Sequence, residues 1–223
     1  MYRCVCDSVE GFVQQLAVGY VARGFYFYTS GTIKPSKDPA AVDAKLIERY
    51  GIDVSKWQRA RRKRAGVANL QYLRHEQFFV ILATHGKHCF FGDEPFRDIR
   101  EAPIRFHGYS IGCGKGVDGR WHASVRIHAD VYRSLKDYFL DLAVHRSIDN
   151  LVKEFQSVRF APFARVRRQM LNILRAVNRM RKEAGFEAIP TSALRLRRRP
   201  LRVFDYPRLR APIGEEEAKR KRA

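Results

Sequence analysis

Residues 162–185, PFARVRRQMLNILRAVNRMRKEAG, constrain the fold of this chain more than any other stretch. Apolar residues recur there at spacings of three and four, which places them on one face of a helix: Val166, Met170, Ile173, Leu174, Val177 and Met180. Cations follow the same period on another face: Arg165, Arg168, Arg175, Arg179 and Lys182. Gly185 suits the left-handed conformation that ends many helices. The stretch predicts one long amphipathic helix with a core-facing side and a cationic side.

The net charge of +20 is concentrated in two segments of the 223-residue chain. Residues 56–66 contain six Lys or Arg and no acid, and residues 159–210 contain 15 cations and three acids. Residues 1–55 hold six cations and six acids, and residues 67–158 hold 12 and 11. A surface without a polyanionic partner usually mixes both signs, so this segregation predicts a phosphate-rich ligand, DNA or RNA. An anionic membrane and a general effect on solubility are the alternatives.

Two clusters of cations lie beside aromatic residues. The first follows Trp57 and comprises Arg59, Arg61, Arg62, Lys63 and Arg64. The second precedes Phe204 and Tyr206 and comprises Arg195, Arg197, Arg198, Arg199 and Arg202. Arginine binds phosphate oxygens bidentately, and aromatic rings stack on unpaired bases. Together with the cationic face of the long helix, these clusters predict a nucleic-acid-binding surface; a flexible charged linker without a fixed partner is the alternative.

Helical and strand patterns follow one another along the rest of the chain. Helices are predicted at 8–22, 39–50, 131–144 and 148–156, and strands at 2–6, 25–33, 67–74, 77–86, 88–91, 103–112 and 120–128. Residues 53–66 fit either a short helix or an extended arm. The order predicts an α+β fold, a mainly antiparallel sheet with helices packed on one side. A basic, helical C-terminal part follows, ending in an extended arm over residues 186–210.

The same patterns suggest a division of the chain. We expect an α+β body over residues 1–158 with a basic insertion at 56–66, a basic helix and arginine-rich arm over 159–210, and a disordered tail over 211–223. One compact domain and two domains fit the sequence equally well. No run approaches the roughly 20 apolar residues of a membrane span. The N-terminus lacks a secretory pattern and four cysteines are too few for a disulfide scaffold, so we expect an intracellular, cytoplasmic protein that does not engage a membrane.

A glycine-rich segment, Gly112-x-Gly114-x-Gly116, surrounds Lys115. Glycines let backbone N–H groups approach a phosphate, but a dinucleotide-binding or P-loop motif needs a strand before it and a helix after it. Here a strand follows. The segment therefore favours a flexible hairpin loop, with contact between Lys115 and a nucleic-acid backbone as the alternative.

Three groups of residues suggest metal binding or catalysis. His85, His88 and Cys89 are close in sequence, and Cys4 and Cys6 would complete a zinc site, although the spacing fits no standard zinc pair. His122 and His128 share a predicted strand near Tyr132 and Tyr138, as in strand-nicking enzymes, but the usual two histidines flanking one apolar residue are missing. The third group holds acids that a divalent ion on a phosphodiester would require: Glu76, Asp93, Glu94, Asp98 and Glu101.

The sequence thus supports two main functional hypotheses, besides a third, a structural protein whose basic arm anchors it to a larger ribonucleoprotein. The first is a non-catalytic protein that binds DNA or RNA through arginines, without a cofactor, as an accessory subunit with protein partners in a nucleic-acid-processing or mobile-element assembly. The second is a metal-dependent nuclease or strand-nicking or strand-transfer enzyme, which would need a divalent metal.

Overall fold

The computed structural model describes residues 2–197, 201, 203 and 204, and over these residues the protein has an α+β fold, as predicted. It contains two antiparallel sheets instead of the single sheet expected. The first has the strand order β2-β3-β1-β4 and is formed by β1 (Phe27–Thr32), β2 (Leu70–His75), β3 (Phe78–Ala83) and β4 (Arg97–Asp98). The second has the order β5-β6-β7 and is formed by β5 (Ile104–Phe106), β6 (Tyr109–Lys115) and β7 (Trp121–Ile127).

Most of the helices begin at side chains that cap their free N–H groups. The caps are Ser8, Asp38, Ser55 and Ser147, each accepting a hydrogen bond from a backbone N–H of the first turn. The helices are α1 (Val9–Gln14), α2 (Pro39–Arg49), α3 (Lys56–Arg64), α4 (Phe90–Asp93), α5 (Ala129–Leu142), α6 (Ile148–Ser157) and α7 (Ala164–Glu183). A π-helix (Gln15–Tyr20) and a 3-10 turn (Val21–Arg23) extend α1. Within the described residues, no helix combines the length and hydrophobicity that crossing a membrane requires.

Strand β3 is buried on both faces, as its continuous apolar sequence predicts. Val80 and Leu82 belong to a core that also contains residues of α1, the second sheet and α7. Ile81 and Ala83 belong to a separate core that includes Tyr50, after α2, and other residues around α4. The expectation that helices cover only one side of the sheet was therefore wrong, because alternate β3 side chains enter two different cores.

Helix α7 packs against β7 and α5 through its predicted apolar face, with one exception. Val166, Met170, Ile173, Leu174 and Val177 are buried, but Met180 is 40% exposed. Arg181 is buried in its place, 3% exposed. Residues four apart lie on the same face of a helix, and the buried Ile173 and Val177 are followed at this spacing by position 181. Position 181, and not position 180, therefore continues the buried face.

Three local predictions were wrong. Residues 88–91 do not form a strand; Phe90 begins α4. The strand expected over 103–112 is two strands, because His107 and Gly108 have φ values of 43° and 78° and reverse the chain between β5 and β6. The strand expected over 2–6 is reduced to an isolated bridge between Val5 and Arg74.

The beginning of the predicted extended arm is packed. Ile189, Ala193 and Leu194 are buried in the same core as α7, and Asn178 on α7 bonds both the N–H and the carbonyl of Ile189 at 2.9 Å. Residues 186–194 precede the arginines and contain several apolar residues, which accounts for this packing. Most of the later arm and the whole predicted tail over 211–223 lie outside the described residues.

Candidate functional site

Helix α3 carries the first cationic cluster on the surface of the protein. Ser55 and Gln58 form a reciprocal capping box: the Gln58 N–H donates to Ser55 Oγ (3.2 Å), and the Ser55 N–H donates to Gln58 Oε1 (2.7 Å). None of the residues of α3 is buried. Trp57 is 83% exposed, and Arg61, Lys63 and Arg64 are exposed as well.

The other two arginines of the cluster also hold α3 in place. Arg59 donates from Nε and Nη2 to the Val54 carbonyl at 3.1 and 2.9 Å, and Arg62 donates from Nη1 to the Gly51 carbonyl at 3.0 Å. Both side chains are half-buried. They therefore help to fix the position from which the exposed cations of α3 project.

Helix α7 displays the second set of cations as one row on its solvent side. At about 100° per residue, the row lies roughly opposite the buried stripe. Its first and last members are about 25 Å apart at 1.5 Å per residue. All five side chains are exposed: Arg165, Arg168, Arg175, Arg179 and Lys182. We refer to these five residues as the α7 row.

Within the described part of the chain, the cations of the α7 row and of the α3 cluster form no ion pair with an acid. Across residues 2–197, 201, 203 and 204, none of the ion pairs includes a member of the α7 row, a cation of the α3 cluster or Lys115. Arginines elsewhere do pair with acids, such as Arg74 with Asp43 at 2.8 Å and Arg49 with Asp93 at 3.2 Å. The positive charge of these segments is thus left uncompensated by neighbouring carboxylates.

The glycine-rich segment meets the beginning of α7. It forms the end of β6, and a Cβ placed on Gly114 would lie 3.2 Å from Nη2 of Arg165. The adjacent Lys115 has its Nζ 5.6 Å from the ring centroid of Trp121 on β7. Trp121 in turn lies 5.8 Å from the guanidinium carbon of Arg100. Arg165 of the α7 row therefore lies beside the backbone of Gly114, whereas the side chain of the next strand residue, Lys115, belongs to the opposite face of β6.

Arg100 extends this series of contacts to the first sheet, and the sequence did not identify it. Its guanidinium carbon lies 4.8 Å from the ring centroid of Tyr26, and Nε donates to both carboxylate oxygens of Asp98 at 2.9 and 3.0 Å. The hydrogen bonds from Arg100 lower the pKa of Asp98. Arg100 lies in a segment of balanced charge, and its aromatic neighbours Tyr26 and Trp121 are far away in sequence, so no local pattern indicated its position.

The arm begins on a different side of α7 from the row. Arg195 and Arg197 are exposed, and Arg195 lines a small groove with Val166, Arg167 and Met170 of the core-facing side. The predicted binding residues Arg198, Arg199 and Arg202 lie outside the described residues.

The residues considered for zinc do not form one group, although His88 Nδ1 and Cys89 Sγ are 3.6 Å apart. Cys4 and Cys6 are buried in different cores, and burial raises the pKa of each thiol to about 12. His85 packs edge-on against an aromatic ring, and His88 Nδ1 accepts a hydrogen bond from the Phe90 N–H at 3.1 Å. In the part of the chain that the structure describes, no three His, Cys, Asp or Glu side chains are grouped to hold a metal ion.

The acids considered for a nuclease are dispersed. Asp93 pairs with Arg49, Asp98 with Arg100, and the Glu94 carboxylate accepts from the Tyr50 hydroxyl at 3.0 Å. His122 lies on β7 and contacts Asp118 at 2.9 Å, whereas His128 lies beyond the other end of that strand, at the start of α5. These residues do not converge on one point.

The arrangement as a whole presents exposed cations on a folded scaffold. Lys115, Trp121, Arg100 and Tyr26 form a series of contacts across the two sheets, and Tyr26 lines a cavity together with Arg59 and Lys63 of α3. Such a surface has the chemistry to attract a polyanion. Comparisons with protein-family models, curated proteins and solved structures found no match.

Proposed function

We propose that this protein binds nucleic acid by contacting phosphates with the α7 row and with the exposed cations of α3. The observation that supports this most directly is the α7 row itself: five exposed cations on one side of a single helix, with no ion pair to an acid among the described residues. Surface cations that serve only solubility are usually interspersed with acids. A row whose cations form no ion pair with an acid in the described residues is suited to a ligand that supplies the negative charge.

The geometry of the row suits a phosphate backbone. It extends over about 25 Å, and phosphates along one strand advance about 3.4 Å per nucleotide along a duplex axis. Trp57, 83% exposed beside the α3 cations, offers a stacking surface for an unpaired base. The proposal therefore covers both double-stranded and single-stranded DNA or RNA, with the backbone as the common target.

The proposal makes a quantitative prediction about salt. If each of the five cations of the α7 row neutralises one phosphate, log affinity should fall against log salt with a slope of about −4.5 for B-form DNA and about −3.5 for a single strand. For the duplex this corresponds to a loss of affinity of about 500-fold between 50 and 200 mM salt.

The test is a triple replacement in the middle of the row, Arg168→Gln, Arg175→Gln and Arg179→Gln. Removing three phosphate contacts should make the slope for a duplex shallower by about 2.7. A matched control removes three exposed cations elsewhere, Lys34→Gln, Lys45→Gln and Lys153→Gln, so the net charge changes equally. Fluorescence anisotropy over a salt series would measure both. An unchanged slope in the first variant, or an equal change in both variants, would contradict the assignment of the row.

The proposed role is that of a non-catalytic, cytoplasmic subunit that works without a cofactor, together with protein partners in a DNA- or RNA-processing or mobile-element assembly. It is supported by the exposed cations of the α7 row and by the partners that the carboxylates of Asp93, Glu94 and Asp98 have within the protein. Incubation of labelled single and double strands with Mg²⁺, Mn²⁺ or EDTA tests the non-catalytic part. Metal-dependent cleavage that co-purifies with the protein and disappears in EDTA would overturn it.

A further inference from the structure

A cavity of about 790 Å³ opens between the π-helix, α3 and the end of the first sheet. Its walls include Gln15, Gly19 and Tyr20 of the π-helix and Arg59, Ala60 and Lys63 of α3. Pockets for small ligands commonly enclose about 300 to 1,000 Å³. The cavity therefore has room for a ligand of moderate size.

The charged groups of this cavity favour an anion. Arg3, Arg23, Arg59 and Lys63 line it, against the single carboxylate of Asp53. Arg23 and Lys63 are exposed, and neither forms an ion pair within the described ranges. Arg59 directs Nε and Nη2 to the Val54 carbonyl, which fixes its guanidinium in the wall.

Aromatic and amide groups complete the lining, and hydrogen bonds hold several of them rigidly. The Tyr2 hydroxyl contacts Gln71 Oε1 at 2.8 Å and accepts a hydrogen bond from the Tyr72 N–H at 2.9 Å. Burial raises the pKa of Tyr2, so the hydroxyl remains protonated. Tyr26, half-buried, and His85, exposed, offer rings beside these groups. Rings and fixed amides are the groups that recognise a nucleobase, by stacking and by hydrogen bonding.

One polar group in the wall lacks a partner. Asn69 is 7% exposed, and its Oδ1 has no hydrogen-bond donor among the described residues. The rest of the side chain is fixed, because Nδ2 donates to the Arg59 carbonyl at 3.1 Å. Buried acceptors normally have a donor, so this one is consistent with a site that is completed by a ligand or by water.

The backbone around the cavity is unusual as well. The π-helix occupies six residues, and π-helical turns occur frequently at functional sites. A Cβ on Gly19 would lie 2.7 Å from the Gln15 side chain, so glycine at this position leaves room for the Gln15 amide beside the cavity.

We propose that this cavity binds a nucleoside phosphate, with Arg23 and Lys63 contacting the phosphate and the aromatic and amide wall contacting the base. The ligand is either a free nucleotide or an unpaired nucleotide of a strand bound to the surface. The second case rests on the proposed function, whereas the first does not. The cavity is joined to the nucleic-acid surface by α3, whose Lys63 belongs to both, and by Tyr26, which contacts Arg100.

The test uses the full-length protein with two replacements in the cavity. Lys63→Glu reverses an exposed charge, and Ala60→Phe fills space without changing charge. Lys45→Glu and Ala44→Phe are matched controls at exposed positions of α2.

The free-nucleotide probes are AMP, GMP, CMP and UMP, whose binding is measured by calorimetry. The strand probes are a blunt duplex and the same duplex with a single-nucleotide overhang. Circular dichroism checks folding, and if Ala60→Phe does not fold, the exposed Lys63→Glu variant decides.

Two outcomes support the inference. In the first, a free nucleotide binds, and its affinity falls at least about tenfold in Lys63→Glu, through loss of a charged hydrogen bond, and falls in Ala60→Phe, through loss of space, while the controls leave it unchanged. In the second, no free nucleotide binds, but the overhang duplex binds more tightly than the blunt duplex and the cavity variants abolish that difference. The inference is overturned if neither probe reveals a nucleotide site, or if the cavity variants behave like the controls. Affinity for the blunt duplex reports separately on the proposed function.

Discussion

Arg181 provides the sharpest test of how α7 is held, because it is an arginine on the buried side of a helix whose other side is cationic. It is 3% exposed, and it contacts three backbone carbonyls: Nη1 donates to Ala143 (2.6 Å) and Arg146 (3.2 Å), and Nε donates to Glu187 (2.7 Å). Ala143 is the C-cap of α5, where carbonyls lack helical partners and the helix dipole favours a cation. We therefore predict that Arg181 stabilises the fold and does not bind nucleic acid.

The size of the effect follows from these contacts. A hydrogen bond to a charged group contributes about 1.5 to 3 kcal/mol, and the three bonds of one side chain are not additive. Arg181→Met retains an unbranched, flexible side chain and removes every donor, so we expect a loss of about 3 kcal/mol in the free energy of unfolding. For a protein of this size that corresponds to a decrease in Tm of about 6 to 12 °C. Arg181→Lys retains the charge but not the planar fork, and should lose about half as much.

Urea unfolding followed by circular dichroism measures these differences, provided that the m value stays constant. Arg175→Met is the matched control: the same replacement on the exposed side of the same helix, with an expected change within about 0.5 kcal/mol. If Arg181→Met were as stable as Arg175→Met, the assignment of Arg181 to the interior would be refuted. If Arg181→Met weakened nucleic-acid binding while stability stayed unchanged, Arg181 would belong to the binding surface.

Two further predictions concern other buried charges. Asp43→Asn should lose about 3 kcal/mol in urea unfolding, because it leaves the guanidinium of Arg74, at 2.8 Å, and the hydroxyl of Tyr72, at 2.6 Å, without their buried carboxylate; a loss below 1 kcal/mol would contradict this. Burial and the positive charge of Arg62 lower the pKa of His88 from its ordinary value of 6.5, so the folded protein binds fewer protons there than the unfolded chain, and stability should decrease as pH falls below about 6.5. Arg62→Gln should raise the pKa of His88 in an NMR titration, and an unchanged pKa would argue against Arg62 as a cause.

The sequence predicts those parts of the fold that depend on local periodicity. The capping of α6 by Ser147, the face of α7 around Ile173 and the buried strand β3 all follow from neighbours in the chain. The contacts of Arg100 with Tyr26 and Trp121 depend on the packing of the two sheets, so no local pattern encodes them. The exposure of Met180 and the burial of Arg181 show a different limit of prediction from sequence. Hydrophobicity favours burial of methionine, but the three backbone carbonyls that meet at this point favour burial of a cation.

The cavity could not be predicted from the sequence either. Its walls come from the N-terminal residues, the π-helix, α3 and the first sheet, and a π-helix follows neither the 3.6-residue nor the two-residue period. Arg59 and Lys63 were recognised as cations, but their place in the cavity wall depends on the hydrogen bonds that Arg59 forms with Val54 and Asn69. The positive charge of the cavity can be predicted from the sequence, whereas its shape depends on tertiary packing.

The contact between Gln169 and Ile127 bears on aggregation through the edge of the second sheet. β7 is an outer strand of the second sheet, and such strands offer free N–H and carbonyl groups to any other extended chain. The Gln169 side chain accepts from the Ile127 N–H at 2.8 Å and donates to the Ile127 carbonyl at 3.0 Å. At Ile127, the last residue of β7, a single amide of α7 thus takes the place of the next strand, so this end of the edge is closed to an extended segment of a neighbouring molecule.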